Sequence, residues 1–329
     1  MPYHASGGQP ATNVQNSIAS RIRAGKVVPL ISNAICNDVA LGGHLALVEK
    51  YRTNIAYPLP NHDGFPQMIQ FKSVTDNSLA DPWSLGLYYV DFIKNHIFDL
   101  VKNAGEEDAV LAEVEEEFDE LTLFEFSHRV GFPRTNNLLN NPLALLASFR
   151  LPIYLTTSYH GFLEQALLAE GVTPRTEICR WHVGLDSLAL VLDGDYKPSA
   201  AEPVVYHLHG YDEYPNSLVL TEDNYLEFLV AVSEHRGKDT DRISDRIRLA
   251  LNDSALVLLG FSLHDWDFRS LFWGLIQQRA SQPLSVAIQL QPNQREQDYL
   301  QQYLQKAKFD VVWDDTVTYL QQLYQAVKA

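Results

Sequence analysis

The chain has 329 residues, 46% hydrophobic and 11% aromatic, which is material for one large folded core or two modest ones. Its 41 acidic side chains outnumber 25 basic ones, and a formal net charge of −16 argues against a broad nucleic-acid-binding surface while leaving room for a small basic pocket. Two cysteines, Cys36 and Cys179, can build neither a disulfide framework nor a four-thiolate zinc site.

No apolar run approaches the roughly 20 residues of a membrane span, and residues 1–10 lack the apolar core of a signal peptide. Cytoplasmic residence without membrane contact is the expectation. Val14, Ile18 and Ile22 recur at four-residue spacing and predict an amphipathic helix over 14–23, ended by Gly25. Val27, Val28, Pro29, Leu30 and Ile31 read as a buried strand. Ser32, Asn33 and Ala34 read as a small-residue turn, with 35–38 leading into another helix.

From 45 to 150 the pattern is mainly helical. Residues 84–102 carry a broad apolar face, and 141–149 form another helix with Pro142 in its first turn. The acidic residues Glu106, Glu107, Asp108, Glu113, Glu115, Glu116 and Glu117 read as a solvated helix face. No strand is expected between 72 and 150, so this region is read as a helical lobe against a sheet. Beyond 150 the period changes. Strands are predicted over 153–157, 204–208, 255–260, 284–288 and 309–313, and helices over 161–170, 222–233, 240–251, 265–279, 295–306 and 317–327. Such alternation means βα units and a parallel sheet. The expected fold is α/β: a Rossmann-like parallel sheet with helices on both faces plus a helical insertion lobe. Residues 1–329 form one domain, with 27–44 and 151–329 its core and 45–150 the lobe.

Four strand ends carry unusual polar chemistry: Ser32-Asn33-Ala34, Ser158-Tyr159-His160, His209-Gly210 and Gly260-Phe261-Ser262-Leu263-His264-Asp265. Parallel crossovers put all four on one edge of the sheet, where open α/β sheets bind their ligands. A rim of serines, an asparagine, histidines and free backbone amides at helix starts suits a nucleotide's phosphates. Tyr206-His207-Leu208-His209-Gly210 stands out, because a strand ending in histidine and glycine presents an imidazole at that edge. Histidine is the side chain best suited to proton transfer near neutral pH. In isolation such a motif is more often a pair of hydrogen-bonded core histidines, and it is the other strand ends that tip the reading towards function.

Thr156-Thr157-Ser158-Tyr159-His160-Gly161-Phe162-Leu163-Glu164, then His207-Leu208-His209-Gly210, then Gly260-Phe261-Ser262-Leu263-His264-Asp265 follow the order and spacing of bacterial sirtuin-like domains. Residues 217–225 and the strand of Trp313 are similar too. Over residues 26–328 the chain resembles the NAD-consuming effectors of anti-phage systems more than the protein deacylases. The resemblance implies cleavage of the bond between nicotinamide and ribose in NAD, which is the substrate, with no metal. It gives His209 the role of base or hydrogen-bond partner toward the ribose, with Ser158 at the position of the family's asparagine. Ser32, Asn33, Ala34, Thr157, His160, Gly260, Ser262 and Asp265 would bind the nucleotide. Asp265 either contacts the ligand or caps the next helix, and capping is the expected role.

The sequence departs from the family pattern at three places. The Gly-x-Gly turn after the first strand is Ser32-Asn33-Ala34, where a positive φ would be strained. The asparagine after Thr-Thr is Ser158, which can hold a water but offers no amide, and the aspartate two further on is His160. Asn33 and Asn37 are candidates for the missing amide. His207, expected on the same strand face as His209, reads as structural, and Cys36 as a small buried residue. The zinc-binding cysteines of deacylase sirtuins are absent. The function this implies is an NAD glycohydrolase releasing nicotinamide and ADP-ribose or a cyclic form, held latent until oligomerisation, a sensor protein or a fused domain activates it. The alternatives are a nucleotide-sensing module without turnover and transfer of ADP-ribose to a macromolecule.

Overall fold

The computed structural model describes residues 11–59, 64–104, 108–133, 138–234, 236–238, 240–276, 286–290, 297–306 and 309–329. Helix α1 (Ala11–Arg23) precedes β1 (Val27–Ile31) and α2 (Asn33–Ala40). Among the described residues six helices then follow without a strand: α3 (His44–Asn54), α4 (Phe65–Thr75), α5 (Pro82–Asn103), α6 (Asp108–Glu116), α7 (Leu123–Arg129) and α8 (Pro142–Ser148). The next strands and helices are β2 (Ile153–Thr156), α9 (Phe162–Ala169), β3 (Arg175–Ile178), β4 (Val204–His207), α10 (Glu222–Glu234), α11 (Asp245–Asp253) and β5 (Ala255–Leu259). The chain closes with α12 (Trp266–Leu271), β6 (Val286–Leu290), α13 (Gln297–Lys306), β7 (Phe309–Trp313) and α14 (Thr316–Lys328). No helix of the described residues is long and apolar enough to cross a membrane.

The helix starts follow local chemistry. Asp81 and Asn141 accept hydrogen bonds from the first-turn amides of α5 and α8, each with proline in its first turn, and Thr122 and Glu125 form a reciprocal cap on α7. The seven strands form one parallel sheet in the order β3-β4-β2-β1-β5-β6-β7. The α/β, Rossmann-like architecture is as expected.

Every residue of β1, β4 and β5 is buried, because helices cover both faces. Alternation sorts the side chains of the central strands. Val27 and Ile31 of β1, with Val257 and Leu259 of β5, pack under α1, α14 and the helices between residues 44 and 148. Val28 and Leu30, with Leu256 and Leu258, pack under α10, α11 and α12. Pro29 sits in a central strand although it has no N–H to give. It pairs with Val257 on the β5 side, while β2 pairs only with Leu30 and Ile31.

Several boundaries differ from the sequence reading. Strand β3 was not expected: Arg175, Thr176 and Glu177 are polar, as an edge strand tolerates, and β4 lies between it and β2. Ser32-Asn33-Ala34 is not a separate turn, since Ser32 caps α2 and the helix starts at Asn33. Helix α11 starts at Asp245 rather than 240, after a loop in which Asp241 binds Arg248. The helix expected over 265–279 divides into α12 and a π-helical turn, Phe272–Ile276, with 277–279 outside the described residues. The strand expected from 284 begins among the described residues at Val286, and the helix expected from 295 at Gln297; 284, 285, 295 and 296 lie outside them. Of the acidic stretch, Glu106 and Glu107 also lie outside, while Glu113 and Glu115 to Glu117 are exposed.

Candidate active site

At the end of β1 the backbone of Ser32 is extended (φ −71°, ψ 145°), and its Oγ accepts the Ala34 N–H at 3.2 Å. The Asn33 N–H donates to Thr157 Oγ1 at 2.8 Å and the Ile35 N–H to the Ser32 carbonyl at 3.1 Å. The expected free amides at this helix start are therefore spoken for inside the protein. Nor does the missing Gly-x-Gly cause strain, because a helix that starts directly at Asn33 requires no positive φ there. The glycine requirement sits opposite, at the end of β5. Gly260 has φ +72°, and a Cβ on it would clash with the side chain of Ile35. Its N–H donates to Gln289 Oε1 at 3.1 Å.

The chain departs from β1 toward β2 on one side and returns to β5 on the other, so these two strand ends form a topological switch point. A cleft of about 800 Å³ opens there, with Ala34, His44, Gly260, Ser262, Asp265 and Arg269 on its walls. Among the described residues lining it, Arg269 is the only lysine or arginine. A recess of about 50 Å³ adjoins the cleft, sharing Ala34, His44, Gly64 and Asp265 with it and ending against Asn33, Tyr89, Tyr159, Tyr225 and Asp267. Asn33 Oδ1 is buried without a hydrogen-bond partner among the described residues, and the buried Tyr89 hydroxyl lies beside the Asn33 side chain. Asp265 occupies the cap position of α12 but makes no capping hydrogen bond, contrary to expectation. Asp265 borders both spaces, and burial followed by the neighbouring Asp267 raises its pKa.

Asp267, which the sequence did not single out, is the hub of the recess. Thr157 Oγ1 donates to its Oδ2 at 2.7 Å and Tyr225 Oη to its Oδ1 at 2.7 Å. Tyr159 supports Tyr225 from behind: their hydroxyls are 3.2 Å apart, and Tyr159 donates to the Val219 carbonyl at 2.6 Å. His209 stands one layer deeper. Its Nδ1 lies 3.7 Å from Asp267 Oδ1, its Nε2 3.5 Å from Ser270 Oγ, and its ring meets Tyr225 and Phe228 edge-on. The side chain is fully buried, and burial, opposed by Asp267, pushes its pKa down to about 4, so the ring is neutral at pH 7.

Ser158 and His160, expected at the substrate, lie beneath the cleft and on the walls of neither space. Ser158 Oγ accepts the His160 N–H at 3.2 Å, closing a local turn. His160 Nδ1 is 2.8 Å from Asp212 Oδ2, and its ring stacks on Tyr89. His207 is bound on both nitrogens, Nδ1 at 2.6 Å from the Ser158 carbonyl and Nε2 at 2.8 Å from Glu164 Oε1. Burial opposes its charged form, but Glu164 and the Ser158 carbonyl outweigh it and hold the pKa above the ordinary histidine value. The expectation that His207 and His209 share a strand face does not hold. The strand ends at His207, which points toward α9, whereas His209 turns back toward α10 and α12. Asn37 reaches the cleft only through His44, whose Nδ1 is 3.0 Å from its Nδ2. Cys36 is a buried thiol beside Ser158, pushed up to about 12 by burial.

Of the residues singled out in the sequence, the structure thus gathers Ser32, Asn33, Ala34 and Asp265 at the recess and Gly260 and Ser262 along the cleft. Thr157, His209, Ser158 and His160 stand behind them. Residues 152–312 match the family of SIR2-like domains. The chain carries a SIR2-like domain. No curated protein matches the chain. The SIR2-like match begins at the start of β2 and ends within β7. It contains Thr157, His209, Gly260, Asp265 and Asp267, while Ser32, Asn33 and Ala34 come from the chain that precedes it. SIR2-like domains use NAD. The recess is assembled from both sides of the match boundary.

Proposed function

We propose that the SIR2-like domain binds NAD along the cleft and cleaves its nicotinamide–ribose bond, releasing nicotinamide and ADP-ribose or a cyclic form. The observation that carries this reading is the recess at the switch point. There an unpaired amide oxygen, Asn33 Oδ1, and a carboxylate, Asp267, meet at the inner end of a nucleotide-sized cleft. At about 50 Å³ the recess is too small to enclose the ribose and nicotinamide, so in this reading they sit at its mouth, with its polar groups and the rings of Tyr89, Tyr159 and Tyr225 behind them. The pyrophosphate belongs farther out, against Arg269 and His44, because the first amides of α2 are already bonded within the protein. Gly260 and Ser262 lie along that outer stretch.

In this reading the domain is a cytoplasmic effector of anti-phage defence. Uncontrolled loss of NAD harms the host, so latency relieved by oligomerisation or by a sensor partner belongs to the same proposal. The test is nicotinamide and ADP-ribose release from NAD by the purified chain, alone and with candidate activators. Persistent absence of both products would sink it. The full burial of His209 and Ser158 favours a second reading, a nucleotide-sensing module without turnover. Calorimetry separates the two: tight binding of ADP-ribose while NAD stays intact supports the sensor.

A further inference from the structure

Nitrogen atoms of His209 do not reach the cleft. The ring is closed in by Tyr225, Phe228 and Ser270, and its side chain is 0% exposed. The group between it and the recess is Asp267, 16% exposed and on the recess wall. One donor holds each of its oxygens, Thr157 on Oδ2 and Tyr225 on Oδ1, which fixes the carboxylate plane and leaves each oxygen further acceptor capacity. Thr157 is itself anchored by the backbone N–H of Asn33, and the Tyr225 hydroxyl packs against that of Tyr159. A carboxylate oriented in this way is organised before any ligand arrives.

Resting on the reading of the domain as an NAD hydrolase, we propose that Asp267 is the catalytic residue that meets the ribose next to nicotinamide, and that His209 is a positioning residue acting through it. Breaking an N-glycosidic bond leaves positive charge on the ribose, as breaking an O-glycosidic bond does, and a carboxylate both stabilises that charge and accepts a proton. In the reaction the C1′–N bond breaks with its electron pair going to the pyridinium nitrogen, and neutral nicotinamide departs. A water oxygen forms the new C1′–O bond, and the proton it sheds passes to the Asp267 carboxylate and on to solvent. Neutral His209, with Nδ1 at 3.7 Å, lies too far for a hydrogen bond and shapes the carboxylate's surroundings through its dipole and its packing. Asn33 Oδ1, buried in the same recess without a partner, is placed to accept from a ribose hydroxyl.

The experiment compares Asp267→Asn, Asp267→Glu and His209→Gln with wild type in the full chain. NAD turnover is followed across pH, ADP-ribose and ADP binding by calorimetry, and folding by thermal unfolding. Asp267→Asn should lower kcat on the order of 10²-fold or more and raise KM by no more than it weakens ADP-ribose binding, and Asp267→Glu should restore part of both. His209→Gln should lower kcat less and displace the acid limb of the pH profile, which loss of packing alone does not do. Wild type should prefer ADP-ribose over ADP, which lacks the second ribose, and Asp267→Asn should erase that preference. A folded Asp267→Asn protein turning over NAD at the wild-type rate overturns the assignment and leaves the NADase reading standing. A wild type without turnover, whose preference for ADP-ribose vanishes in Asp267→Asn, upholds the ribose contact and overturns hydrolysis. A wild type showing neither turnover nor binding overturns both.

Discussion

Thr157 Oγ1 donates a 2.7 Å hydrogen bond to Oδ2 of Asp267, 110 residues further along the chain. The same hydroxyl accepts the Asn33 N–H at 2.8 Å, so one side chain ties the end of β2 to the starts of α2 and α12. The starts of α2 and α12 both line the recess.

Thr157→Val keeps the side-chain shape and removes both bonds. It leaves a buried N–H and one carboxylate oxygen short of a partner, and should destabilise the fold by about 1–3 kcal/mol. Urea unfolding measures the loss, and Thr157→Ser, which keeps the hydroxyl, should recover most of it.

Gly260→Ala meets two obstacles at once, a positive φ and the side chain of Ile35. A loss on the order of 1–3 kcal/mol is expected. The double variant Gly260→Ala, Ile35→Ala should recover only the steric share relative to Ile35→Ala alone, and the residue measured by thermal unfolding is the backbone strain.

His207 and His209 should give opposite pH dependence of stability. The folded pKa of His209, about 4, lies below the ordinary 6.5, so between these values the unfolded chain binds the extra proton. Its contribution is complete above pH 6.5 and is lost as pH falls toward 4, on the order of 3 kcal/mol in all. For His207 the folded pKa is raised, so its contribution is complete below 6.5 and is lost as pH rises through the folded value. Unfolding midpoints followed from acid to neutral pH should lose part of their acid slope in His209→Gln. Glu164→Gln, which removes the partner holding the His207 proton, should flatten the alkaline side instead.

Arg269→Ala should weaken ADP-ribose binding about tenfold, because a charge-assisted bond to phosphate is lost and no other described lysine or arginine lines the cleft. Calorimetry at two salt concentrations checks it. The wild type should lose affinity with salt and the variant should lose less. Equal affinities for the two proteins would place the phosphates elsewhere.

The alternation of apolar runs with helical periods was legible in the sequence and sufficed for the parallel sheet. Strands β1, β4 and β5 announced themselves because a strand covered on both faces is apolar at nearly every position. Edge strand β3 did not, since Thr176 binds Glu164 and Glu177 binds the Leu192 and Ile178 amides, polar partners that no local pattern records. Glycine at 260 and the polar strand ends also marked the edge of the sheet at which the cleft opens.

What the sequence determined by itself was therefore most of the segments and the edge at which the cleft opens, because apolar period and turn residues act over a few neighbouring positions. Which groups face the cleft was decided only by the tertiary structure. His209 would share a face with His207 had the strand continued, but β4 stops at His207 and the ring turns in behind Asp267. Asp267 reads as one more acid in a first helical turn until Thr157 and Tyr225, 110 and 42 positions away, close on its two oxygens. A carboxylate's role follows from the donors that orient it and the space it borders, and both are supplied by distant parts of the chain.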